Sequence, residues 1–156
     1  MHLDEEAPEQ RLNYYAAAPD AAHTLQAMQK YVNECGLDHK LLELVKLRCS
    51  QINGCAYCVD MHAHDARKSG EDNRRLDAVA VWRESNLFTL DERAALAWAE
   101  AVTLVSHDHV PPEIYDWVSK YFSGKALVDL TYAILAINCW NRLAVSFRVP
   151  TPAQPR

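Results

Sequence analysis

Glycine is scarce in this 156-residue chain, and the four present, Gly36, Gly54, Gly70 and Gly124, fall where helical patterns stop. No strand-length segment alternates apolar and polar residues between hairpin turns, which argues against a β-sandwich, a barrel or a βαβ unit. Basic runs are also missing. None is longer than Arg74-Arg75, and acidic residues outnumber basic ones 21 to 16, so the chain carries no electrostatic footprint for nucleic acid. The longest strongly apolar stretch, Leu130 to Asn141, falls short of the roughly 20 residues a bilayer demands. The acidic start, MHLDEEAPEQR, lacks the basic-then-apolar order of a secretory signal, so the expectation is a soluble, cytoplasmic protein with no membrane partner.

What is present is enough for one domain. At 49% apolar, a chain of this length buries roughly two thirds of its unfolded surface around a single core. Caps and breakers divide it into about six to seven helices, an all-α fold. The first runs from an Asp20 cap to Glu34, the second from an Asp38 cap to Ile52, the third from about Cys55 to Ser69 and the fourth from about Asp72 to Ser85. Thr89 and Glu92 have capping-box spacing for a fifth that ends near His107, and Pro111-Pro112 opens a sixth reaching Tyr121. The last spans about Lys125 to Phe147, and the Pro-containing tail after Arg148 is expected to fray. Between Leu130 and Ile137 this last helix is apolar on nearly every side, so it must be covered by several neighbours or partly by self-association.

Five cysteines in a chain with no export signal do not suggest a structural disulfide framework, but two of them form a CxxC. The informative segment is SQINGCAYCVDMHAHDAR, residues 50 to 67. Asn53-Gly54 breaks one helix and Cys55 opens the next, where unpaired backbone N–H groups and the positive end of the helix dipole stabilise a thiolate. At roughly 100° of rotation per residue, Cys55, Cys58 and His62 share one helix face. An imidazole one turn beyond Cys58 is placed to take a thiol proton or to give one to a departing alkoxide. Two thiols and a base make a redox set.

Two other readings stand beside it. CxxC is half of a zinc site, and Cys55, Cys58 and His62 offer three ligands, but the fourth would have to come from a remote residue such as His107 or His109. The pair could also be an inert buried one. A thioredoxin-like domain is set aside because its CxxC requires a βαβ context.

The stretch Glu43 to Arg67, ELVKLRCSQINGCAYCVDMHAHDAR, resembles the core motif of the AhpD-like branch of the carboxymuconolactone decarboxylase superfamily. INCWNRLAVSF resembles that group's C-terminal helix, and the resemblance extends from about Tyr14 to Val149, within one AhpD-like domain over residues 1–156. It implies an oligomeric (trimeric or hexameric) all-helical peroxidase that reduces alkyl hydroperoxides without a bound cofactor or metal and is reset by a thiol or dithiol-protein reductant. It further implies that Cys58 attacks the peroxide, that Cys55 resolves the sulfenic acid as a disulfide, and that Glu43 and His62 relay protons. The dipole argument alone would make Cys55 the more acidic thiol. On a helical wheel Glu43 shares a stripe with Lys46 and Ser50, opposite Leu41, Val45 and Ile52, and by pattern alone it reads as a solvated residue.

One position departs from the family. Its best-known members carry a histidine directly before the second cysteine, where this chain has Tyr57, and a phenol is a poor base at neutral pH. The departure implies weaker peroxidase activity or a different physiological substrate. The decarboxylase branch lacks the cysteine pair, which argues against that activity. A non-enzymatic redox sensor or disulfide-exchange protein would use the same CxxC, and a structural zinc module is the third alternative. Cys35, Cys49 and Cys139 read as small buried hydrophobes, His64 as a surface partner for Asp60, His107-Asp108-His109 as a solvated loop, and Trp82, Trp98, Trp117 and Trp140 as core or interface anchors.

Overall fold

Asp38 starts the central helix of the molecule: its carboxylate accepts the Leu41 N–H at 2.9 Å and opens α3, His39–Asn53. Gly54 stops it in the left-handed conformation, φ +66°, which a residue without Cβ adopts at no steric cost. A computed structural model describes residues 8–153, and α3 lies at its centre, packed against α4 (Ala56–Lys68), α6 (Leu90–Thr103) and α9 (Lys125–Phe147). α1 (Tyr14–Ala17) and α2 (Pro19–Glu34) precede it, with α2 on α9. α5 (Asn73–Ala78), a 3₁₀ turn (Val79–Glu84), α7 (Val105–Asp108) and α8 (Pro112–Val118) fill the remaining connections.

The fold is an all-α, single-domain bundle. Among the described residues it has nine α-helices and one 3₁₀ helix, more pieces than the six to seven expected. The extra pieces have local causes. α1 is a single turn capped by Asn13, too short to register as a periodic pattern. The expected fourth helix divides at Val79 into a 3₁₀ segment, with Val81 at φ −122° kinking it before Ser85. The expected fifth breaks at Leu104 and resumes as α7, while the Thr89–Glu92 capping box forms as its spacing implies. The tail after Arg148 was expected to fray, but Val149 is tied back by its N–H to the Ala144 carbonyl at 2.9 Å. The first seven residues of the acidic start, and the last three of the tail, lie outside the described residues. No helix of the described residues is long and apolar enough to cross a membrane.

Leu41, Val45 and Cys49 of α3 face Ala95 and Ala99 of α6 and Leu130, Ile134 and Ile137 of α9 in the largest core cluster. Each large aliphatic side chain buried there contributes about 1.5–3 kcal/mol relative to exposure. α9 turns only one side inward, leaving Val128, Tyr132 and Leu135 exposed.

A chain of polar side chains is buried where α3 ends against α9. Asn53 donates through Nδ2 to Asn138 Oδ1 at 3.0 Å and to Asn141 Oδ1 at 2.9 Å. Asn141 in turn donates to Ser50 Oγ at 3.0 Å. Ser50 donates to the Lys46 carbonyl, and its own carbonyl accepts the Cys55 N–H at 3.0 Å. The network thus holds the turn from which the CxxC emerges. Asn141→Leu strips two of these bonds from a fully buried site and should destabilise the protein by about 2–3 kcal/mol. The check is urea unfolding, read as a lower midpoint at unchanged slope.

Candidate active site

Cys55 is not on the helix face but immediately before it. It is the N-cap of α4, with extended backbone (φ −88°, ψ 97°), and its Sγ accepts the Cys58 N–H at 3.2 Å. Sulfur therefore occupies the place usually taken by a capping oxygen, where the helix presents its free N–H groups. Cys55 and Cys58 are joined as a disulfide, and both are almost fully buried. One turn on from Cys58, His62 is buried on the same face of α4, against α3.

The polar stripe of α3 is not solvated. α4 lies over it, and Glu43, Lys46 and Ser50 are 9%, 6% and 0% exposed. The wheel misled because an amphipathic helix at the centre of a bundle turns its polar stripe toward a neighbour when that neighbour supplies partners. Here it does. Glu43 Oε2 lies 2.8 Å from His62 Nδ1, and Glu43 Oε1 accepts from Lys46 Nζ at 2.8 Å. Burial alone would raise the Glu43 carboxyl, but the His62 hydrogen bond and the Lys46 charge outweigh it and hold the group below the ordinary glutamate value. With a carboxylate as acceptor, Nδ1 carries the ring proton. His62 Nε2 is buried with no protein partner and is the nitrogen free for proton transfer.

A cavity of about 860 Å³ opens on this set, with Glu43, Lys46, Cys58 and His62 in its lining. Cys55 is not among its lining residues. Tyr14, Tyr15, Tyr57, Met61 and Trp140 give much of the wall an apolar, aromatic character. Tyr14 and Tyr15 stack at 4.8 Å, and Tyr15 stacks with Trp140 at 6.2 Å. Burial, then the neighbouring Tyr15, pushes the Tyr14 phenol up to about 12, so it stays protonated.

Lys46 was not singled out by the sequence, although a lysine three residues after Glu43 on the stripe was the available signal. Trp140 was visible only as an anchor, and Tyr14 and Tyr15 gave no signal. Among the described residues, the His/Cys/Asp/Glu grouping with metal-ligand spacing is Glu43, His62 and Asp65, not the cysteine pair with His62. Two of its members are already bonded to each other.

The remaining candidates lie elsewhere. Cys49 is fully buried, accepts from Thr103 Oγ1 and is pushed up to about 12 by burial. Cys35 is half-buried. Cys139 is exposed rather than buried, because it sits on the outward side of α9. His107 and Asp108 belong to the short α7 rather than to a loop, and with His109, its C-cap, they are exposed. His64 Nε2 is shielded from solvent without a hydrogen-bond partner. Trp82 and Trp98 are buried, and Trp117 and Trp140 partly so.

The carboxymuconolactone decarboxylase family model matches residues 19–101. An uncharacterized Bacillus subtilis protein, YdfG, is 39% identical over 88% of this chain and 93% of its own. A crystal structure from Agrobacterium tumefaciens, of unknown function with a suggested AhpD antioxidant-defence role, shares 42% identity. It superposes with a TM-score of 0.92 over 94% of this chain and all of its own. A peroxidase-related protein from Ralstonia eutropha, described as an alkylhydroperoxidase AhpD core, is 22% identical with a TM-score of 0.78 over 90% of this chain and 75% of its own, a likeness of fold. The cysteine pair beside the hydrogen-bonded Glu43 and His62 fits an AhpD-like thiol-peroxidase arrangement.

Because the Glu43 carboxyl is held low, its contribution to stability is full above the ordinary glutamate range and is lost as pH falls through its folded value. Glu43→Gln leaves the Lys46 ammonium buried without its counter-charge and should cost about 3 kcal/mol at pH 7. Denaturant midpoints of the two proteins should converge as pH drops below about 4.

Proposed function

The chain belongs to the carboxymuconolactone decarboxylase family, in its AhpD-like branch, and on that premise we propose that it reduces organic hydroperoxides through Cys58, Cys55, His62 and Glu43. The observation that carries this reading is that Cys58, His62 and Glu43 line one cavity while Cys55 is already bonded to Cys58 behind it.

In the reduced protein, His62 Nε2 takes the Cys58 thiol proton, with Glu43 holding Nδ1–H and balancing the imidazolium. The Cys58 thiolate attacks the peroxide oxygen, the O–O bond breaks, and the proton on His62 passes to the leaving alkoxide. Cys58 becomes a sulfenic acid and the alcohol departs. The Cys55 thiol then gives up its proton and attacks the Cys58 sulfur, that proton joins the departing hydroxide as water, and the disulfide forms. Tyr57 lines the same cavity where the best-known relatives carry histidine, so base catalysis falls to His62. The aromatic wall favours an organic hydroperoxide over hydrogen peroxide, since it gives an apolar substituent somewhere to bury.

A thiol or dithiol-protein reductant resets the disulfide, which fits a reducing, cytoplasmic compartment. Exposed Val128, Tyr132 and Leu135 on α9, beside Tyr31 on α2, favour a homo-oligomer, trimer or hexamer, over a monomer. Acidic net charge without a basic patch argues against nucleic acid as a partner.

Peroxide consumption under excess dithiothreitol tests the proposal. Wild type should turn over many times, and Cys58→Ser should lose on the order of a hundredfold or more. Without reductant, Cys55→Ser should consume one peroxide per subunit and hold Cys58 as a sulfenic acid where wild type forms the disulfide. Full activity in Cys58→Ser would overturn the mechanism, and a single stoichiometric oxidation of the wild type would make the protein a redox sensor.

A further inference from the structure

A second cavity, about 510 Å³, lies on the other side of the disulfide. Gly54, Cys55 and Ala56 line it, with Val145, Arg148 and Thr151, and Cys58 does not. The two cavities share Tyr57, Ala144, Val149 and Pro150 as a common partition. Beyond Pro150 the tail alternates, Thr151 lining the second cavity and Pro152 the first. The Val149 N–H to Ala144 carbonyl bond secures it in that position.

We infer that this second cavity is the entry for the thiol reductant, which attacks Cys55 there while the hydroperoxide meets Cys58 in the first. The inference rests on the peroxidase reading for its place in a cycle. Thiol–disulfide exchange requires the attacking sulfur to approach nearly in line with the bond being broken. An attack on Cys55 must therefore come from the side away from Cys58, and the second cavity contacts Cys55 alone of the pair. Among the described residues Arg148 is the one charged residue in its lining and favours the approach of a thiolate, the attacking species.

The chemistry balances. The reductant thiol releases its proton to solvent and, as thiolate, forms a bond to Cys55 Sγ; the Cys55–Cys58 bond breaks, and Cys58 departs as a thiolate protonated through His62, which takes a proton up from solvent. The reductant's second thiol, as thiolate, attacks its own sulfur in the mixed disulfide. It leaves as a cyclic or linear disulfide and frees Cys55. Two electrons pass from the dithiol to the protein.

Val145→Trp and Thr151→Trp place an indole in the second cavity at exposed positions that do not line the first, and Asn33→Trp does the reverse. The measurement is the rate at which dithiothreitol reduces the oxidised protein, read as free thiols after acid quench and alkylation. The same variants, pre-reduced, are then oxidised with cumene hydroperoxide. At least one second-cavity variant should be reduced fivefold or more slowly and oxidised within twofold of wild type, while Asn33→Trp is reduced at the wild-type rate. With 2-mercaptoethanol, the trapped mixed disulfide should map to Cys55. Equal reduction rates in all variants, slowing by Asn33→Trp instead, or an adduct on Cys58 would overturn the inference. The reduction step needs no peroxide, so failure of the peroxidase reading would appear separately, as absent turnover with the reduction pattern intact.

Discussion

The Glu43 carboxylate between His62 and Lys46 is the contact on which the site depends. A charge that is nine-tenths buried persists only when its partners outweigh the loss of water, and Glu43 has one partner from each of two helices. Lys46 comes from the same helix three residues on, so its position follows from α3 alone. His62 comes from α4, and its bond sets how far α4 is rotated over α3. That rotation decides that Cys58, one turn before His62, faces the cavity. The Glu43–His62 hydrogen bond is thus at once a helix-packing contact and the bond that orients the imidazole.

The turn between the two helices is the second constraint. Gly54 reverses the chain in one residue, and the Asn53–Asn141–Ser50 network holds the end of α3 against α9. Cys55 then has no freedom to enter the helix. It becomes the cap, its N–H on the Ser50 carbonyl and its sulfur receiving the N–H of Cys58. A polar cluster far from the cavity by sequence, on α9, therefore positions the sulfur that Cys58 must reach.

The helices bounded by strong local chemistry were legible in the sequence: the Asp38 cap, the Gly54 stop and the Thr89–Glu92 box each act within a few residues. Breaks without such chemistry were not. The 3₁₀ turn after Ala78 and the break at Leu104 carry no side-chain cap, glycine or proline to mark them in the sequence. Among site residues, the CxxC and His62 stand out by type and spacing, whereas Glu43 needed the family resemblance. Its burial depends on α4 covering α3, and a helical wheel knows only one helix at a time. Lys46 escaped for the same reason. Cys139 misled in the opposite direction, since its apolar neighbours are inward on one side of α9 and outward on the other.

In the proposed cycle, acidity and order of attack are separate properties of the two cysteines. The N-cap favours Cys55 as the more stable thiolate, yet nucleophilicity declines as a thiol becomes more acidic, and access decides which sulfur meets a substrate. Cys58 has the base and the aromatic cavity, and Cys55 has neither. A stabilised thiolate at Cys55 is suited to the later step, attack on a sulfenic acid held within bonding reach, where readiness matters more than strength. On reset the assignment reverses without conflict. In the proposed reset, the reductant attacks Cys55, and the departing Cys58 thiolate is met by a His62 proton. In the proposed cycle, one imidazole beside one of the two sulfurs serves both half-reactions, the first by protonating an alkoxide and the second by protonating a thiolate.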